Sequence, residues 1–225
     1  MEPRPSSPPS FTLWAGIFEG SLALIAVGLG WMFGQPPLET FAWRWADLGW
    51  GLLATAPLWA VLGLGLVVPW GPMRGLLELV ERQLVPLFQG VGLIEVAVIS
   101  ILAGLGEEML FRGLAQGSLA SYWGAPYGPW LALVAASLLF AMAHPISPMY
   151  FITTGLIGLY LGGIWMASGN LLVPIVAHAV YDFGALVYFI RLRKHPASAV
   201  PAETSAPTEE EEAAPAGSSA YEPKE

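Results

Sequence analysis

Long apolar runs, each closed by a proline, glycine or aromatic loop, constrain this chain more than any other feature of its sequence. Residues 11–33, 48–70 and 91–115 are each long enough, at about 1.5 Å per residue, to cross a hydrocarbon core about 30 Å thick as a helix. Further apolar runs occupy 130–144, 149–167 and 171–190. A backbone facing lipid has no water to bond, so runs of this kind close their own hydrogen bonds as helices. The predicted fold is therefore all-α, a polytopic membrane helix bundle of about six transmembrane helices. Composition agrees, with 55% of the 225 residues hydrophobic, 12% charged and a mean hydropathy of +0.60. Residues 74–88 read differently. There Leu76, Leu77, Leu79, Val80 and Leu84 alternate at helical spacing with Arg74, Glu78, Glu81 and Arg82, which predicts one interfacial amphipathic helix.

The ends are polar. Residues 1–10 carry four prolines and no basic leader pattern, so they are expected to form a disordered tail with no removed signal peptide. Residues 195–225 are rich in Pro, Ala, Ser and Glu, and the run Glu209 to Glu212 supplies much of the net charge of −8. That composition predicts a disordered, solvated acidic tail beyond a membrane domain spanning 11–194. Cysteine is absent, which removes disulfides, thiolate catalysis and thiolate-ligated zinc. In a six-span arrangement Arg4, Arg74, Arg82 and the Arg191, Arg193, Lys194 cluster share one side and only Arg44 falls opposite, placing both termini in the cytoplasm. The expected location is a bacterial-type inner membrane, crossed several times. Lipids are expected partners, and nucleic acid is not.

Charge inside the apolar runs is the exception that carries information. The stretch Ala103 to Gly113 reads Ala-Gly-Leu-Gly-Glu-Glu-Met-Leu-Phe-Arg-Gly. An ionisable group at membrane depth costs roughly 2.5–3.5 kcal/mol on insertion scales, so such groups are usually paired and tied to function. On a helix Glu108 and Arg112 share a face, whereas Glu107 points about 100° away. Glu108 and Arg112 can therefore neutralise each other, leaving Glu107 as the carboxylate free for other work. Two of the chain's three histidines also fall in apolar segments: His144, and His178 with Asp182 four residues on. Together these groups predict a shared polar pocket. Glu19 and Glu95, the other acidic residues of the long runs, are left without a role.

The motifs Glu107-Glu108-x-x-x-Arg112, Phe140-x-x-x-His144 and His178-x-x-x-Asp182, in that order, resemble those of the CPBP intramembrane proteases, the family of type II CAAX prenyl endopeptidases also called Abi proteins. Phe-Arg-Gly after the paired glutamates and Gly-Asn-Leu-x-x-Pro before His178 add to the likeness, which covers roughly 102–188 within a protease-like core at 91–190. The resemblance implies hydrolysis of a peptide bond in a membrane-associated or lipidated, CAAX-like substrate. It implies that Glu107 and His144 position and deprotonate a water and that His178 with its partner stabilises the oxyanion, Glu108 and Arg112 being structural support. A carboxylate in a low-dielectric pocket is chemically suited to be such a base.

This sequence departs from the family at Asp182, where asparagine is usual. An ionised carboxylate only accepts hydrogen bonds, so Asp182 cannot donate to an oxyanion. Two arrangements accommodate it. Asp182 can orient His178, as carboxylates do for histidines elsewhere. Alternatively Glu107, His144 and His178 are ligands of a catalytic zinc with an open position for water. No cofactor is favoured, and zinc is the alternative. Two other classes stay open: a non-proteolytic immunity or scaffold protein, and an ion-coupled transporter using Glu19, Glu95 and the Glu/His set.

Overall fold

The computed structural model describes residues 9–68 and 70–193, and all of its regular structure is helical. The helices are α1 (Pro9–Phe33), α2 (Trp45–Val67), α3 (Gly71–Leu79), α4 (Leu93–Glu108), α5 (Gly117–Trp123), α6 (Gly128–Met142), α7 (Pro148–Ser168) and α8 (Leu172–Val187). The expected acidic tail at 195–225, and all but the last two residues of the expected tail at 1–10, lie outside the described residues.

The six spans expected are not all confirmed among the described residues. Four helices are long and apolar enough to cross a membrane: Phe11–Phe33, Trp45–Val67, Pro148–Ser168 and Leu172–Leu192. A fifth is added if Gly71–Phe88 and Leu93–Trp123, which meet at a bend of 115°, count together as one broken span. The run expected as a fourth span, 130–144, is the 15-residue helix α6. At about 1.5 Å per residue it reaches about 22 Å, short of a 30 Å core. The amphipathic stretch is helical but changes form along its length, from α3 to a π-helical turn at Val80–Leu84 and a 3₁₀ turn at Val85–Phe88, the second carrying Pro86.

Large apolar side chains such as Leu24, Trp31, Val67 and Ile94 point outward, as on a surface meant for lipid. Inside, α8 packs against both α4 and α2, α1 against α4, and α6 against α7. Two polar ties fix the ends of α8. The Asn170 side chain accepts the Ala42 and Leu172 amides at 3.0 and 3.1 Å and donates to the Ala42 carbonyl and Asp47, each at 2.7 Å. The Gly-Asn-Leu element thus clamps the loop after α1 to the start of α8. Beyond the other end, Arg191 donates to the Val91 carbonyl at 2.6 Å and Arg193 pairs with Glu81.

The Phe-Arg-Gly element has a steric cause at its glycine. A Cβ on Gly113 would collide with the Pro37 carbonyl, in a loop braced by the Gln35 to Gly30, Glu39 to Pro36 and Phe41 to Leu38 backbone bonds. Gly113→Ala is therefore expected to destabilise the fold by about 1–3 kcal/mol, the usual cost of overpacking, read from thermal unfolding in micelles. An unchanged unfolding temperature would show that this loop yields freely.

Candidate active site

The central stretch bends out of ideal α geometry where its charges begin. After Glu108 the chain runs as a π-helix from Met109 to Gln116 before α5 resumes. Such wide turns recur at functional sites because they present side chains that a regular helix would stagger. Close approach to α8 is permitted by Gly104, where an added Cβ would lie 2.9 Å from the Cβ and amide nitrogen of Ala179. That contact draws the helix of Glu107 and Glu108 onto the helix of His178.

The resulting cluster is ordered by its hydrogen bonds. Glu108 Oε1 accepts from Arg112 Nη1 at 2.7 Å and from His178 Nδ1 at 2.8 Å. Arg112 Nη2 donates to the Gly158 carbonyl at 3.1 Å, and its guanidinium lies 4.6 Å from the centre of the Phe140 ring. The pair expected between Glu108 and Arg112 is thus present, and His178 joins it as a third member. A carboxylate cannot donate when ionised, so His178 Nδ1 is the donor in this contact, and Nε2 is turned toward other partners. Those partners are Asp182 Oδ2 at 3.3 Å and Glu107 Oε2 at 3.8 Å.

His144 stands elsewhere than expected. Instead of ending a helix, it follows α6 in the short break before Ser147 caps α7. Pro145 accounts for this, since a residue preceding proline is driven out of helical geometry. Its Nδ1 faces the Phe140 carbonyl at 2.8 Å and therefore donates to it, leaving Nε2 3.9 Å from Glu107 Oε1. The two histidines meet the same carboxylate because His144 hangs from the helix end. Phe140 supports the arrangement from below, with its ring 4.8 Å from that of His144, 6.1 Å from that of His178 and 5.1 Å from Phe111.

Burial grades across the cluster. Glu108 is 0% exposed and Arg112 1%, whereas the side chains of His144 and Asp182 are 24% and 32% exposed. The ion pair is the sealed base, and the His144 and Asp182 side is the mouth. Glu107 lies between them, its Oε2 without a hydrogen-bond partner among the described residues.

Two residues to which the sequence reading gave no part in hydrolysis border this cluster. Glu19 of α1 is brought in because Gly106 packs directly on the Glu19 backbone, and it comes within electrostatic reach of Asp182, His178 and Glu107. Tyr150, in the first turn of α7, packs its ring 6.1 Å from that of His144. Glu95, by contrast, is spent locally: it accepts the Gly92 amide at 2.7 Å and caps its own helix. Among the described residues no group of three or more His, Asp or Glu side chains converges in the manner of a metal site.

Helices of membrane-spanning length surround a buried cluster of carboxylates, imidazoles and one guanidinium, the composition of a membrane-embedded protein. Residues 89–184 match the family model described as type II CAAX prenyl endopeptidase Rce1-like, which bears out the resemblance drawn from the three motifs. The matched stretch contains Glu107, Glu108, Arg112, His144, His178 and Asp182 and leaves out α1 with Glu19. The match supports protease activity in a membrane setting, with a prenylated peptide or protein as the substrate class. No curated protein and no solved structure matches the chain.

Proposed function

We propose that this protein is an intramembrane endopeptidase that hydrolyses a peptide bond of a prenylated, CAAX-like substrate, with Glu107 as general base. The observation that carries the reading is the position of Glu107, which faces Nε2 of His144 and of His178 at 3.9 and 3.8 Å while Glu108 beside it is bonded to Arg112 and His178. A separation of 3.9 Å is too long for a direct hydrogen bond and suits a water bonded to both groups. In the first step Glu107 takes a proton from that water as its oxygen attacks the scissile carbonyl carbon. The carbonyl electron pair moves to oxygen. Its return expels the amine, which takes the proton from Glu107, and the products are a carboxylic acid and an amine. Asp182 and Glu108 hold His178 by its two nitrogens, so the imidazole keeps one orientation through the cycle.

The metal-free form of the reaction is preferred to the zinc-dependent one, since His178 already has a carboxylate at each nitrogen. The test is cleavage of a quenched farnesylated peptide by purified protein, before and after treatment with a strong chelator. Rates are expected to agree within about twofold, because no step runs through a metal. Loss on chelation with recovery on adding zinc would overturn the metal-free form. Absence of cleavage in every sample, across prenylated and unprenylated peptides, would overturn the peptidase reading.

A further inference from the structure

Negative charge develops on the carbonyl oxygen during the attack and must be met by a hydrogen-bond donor. Around Glu107 donors are scarce. Both terminal nitrogens of Arg112 are engaged, one by Glu108 and one by the Gly158 carbonyl, and the residue is 1% exposed. His144 Nδ1 is taken by the Phe140 carbonyl, and His178 is engaged at both nitrogens, Nδ1 by Glu108 and Nε2 by Asp182 at 3.3 Å. Asp182 lies against His178 as an acceptor and would repel an oxyanion.

Tyr150 is different. Its backbone N–H is held at 3.1 Å by the capping hydroxyl of Ser147, which fixes the residue directly beyond the His144 break. The ring lies 6.1 Å from that of His144, tilted by 32°, and the phenol is close enough to the cluster for the charges of Asp182 and Glu107 to act on it. Among the described residues its hydroxyl has no hydrogen-bond partner, whereas the hydroxyl of Tyr160 donates to the Ala54 carbonyl at 2.7 Å. A neutral, uncommitted O–H beside His144 has the chemistry that the carboxylates lack.

We infer that the hydroxyl of Tyr150 donates a hydrogen bond to the oxyanion at the scissile carbonyl, an inference that rests on the peptidase reading above. The phenol keeps its proton throughout. It holds the oxygen while the new carbon–oxygen bond forms, and releases it when the electron pair returns and the carbon–nitrogen bond breaks. Tyr150 is then a catalytic residue contributed by α7, which brings none of the three sequence motifs.

The test is Tyr150→Phe, which keeps the ring against His144 and removes only the hydroxyl. It is expected to lower kcat about 100-fold, as loss of one oxyanion donor does, with KM changed by no more than about twofold. The variant should weaken by a similar factor the binding of a phosphinic analogue of the farnesylated peptide, whose charged oxygen stands where the oxyanion would. Unfolding temperature in micelles should match the wild type. Wild-type kcat and wild-type analogue affinity in the variant would overturn the inference, as would an effect confined to KM. An equal loss in Tyr181→Phe, whose ring packs edge-on to Trp59 at 6.1 Å, would also overturn it by showing a general response to losing a buried phenol. A wild type that neither cleaves the peptide nor binds the analogue brings down the peptidase reading itself, a result distinct from an active wild type with an equally active Tyr150→Phe.

Discussion

Glu107→Gln is expected to lower the rate of peptide cleavage by about 100- to 10,000-fold, the range that general-base catalysis supplies, and to leave the fold intact. The amide has nearly the same shape and can still bond a water, but it cannot take a proton. Stability should change little, because Glu107 Oε2 has no hydrogen-bond partner among the described residues and the carboxylate anchors neither histidine at hydrogen-bonding distance. Removing a charge from among Glu108, Asp182 and Glu19 should if anything relieve repulsion. The measurement is single-turnover cleavage beside thermal unfolding in the same micelles. More than a tenth of wild-type activity in the variant would assign the proton transfer to another group.

Arg112→Met should show the opposite pattern, with stability lost first. The guanidinium is 1% exposed and carries the charge that balances Glu108, itself 0% exposed. Breaking a buried pair from one side typically costs about 3–5 kcal/mol, because the remaining charge has neither water nor counterion. The loss extends beyond the pair, since the same guanidinium joins the π-helical segment to α7 through the Gly158 carbonyl and lies over Phe140. Adding Glu108→Gln to Arg112→Met should restore part of the stability, because an amide in place of the stranded carboxylate removes the uncompensated charge. Chemical unfolding of the single and double variants measures this. A single variant within about 1 kcal/mol of wild type would mean that His178 alone suffices as counterion for Glu108.

What the sequence disclosed follows from the range over which each interaction acts. Glu108 and Arg112 are four residues apart, so helical spacing alone forecast their pairing, and the apolar runs forecast the helices that bury them. The bond from His178 to Glu108 joins residues 70 apart, and no local pattern encodes which oxygen a distant imidazole will choose. The position of His144 was open to the rule about residues before proline, yet its apolar neighbours argued for carrying the helix through it. The count of six spans is not confirmed because hydropathy registers an apolar run but not the short reach of α6. Glu19 stood out only as a charge inside an apolar run and Tyr150 not at all, since the place of each depends on which helix its own helix meets.

The bond between Glu108 and His178 also bears on how the protein is made. Helices enter the membrane in order, so Glu107, Glu108 and Arg112 arrive while His178 is still inside the ribosome. Until α8 emerges the nascent bundle holds two adjacent carboxylates and a single guanidinium, and Asn170 has not yet fastened the loop after α1. In that partly made bundle Glu108 has Arg112 as its one partner in the cluster, and the last long helix is the one that completes the site.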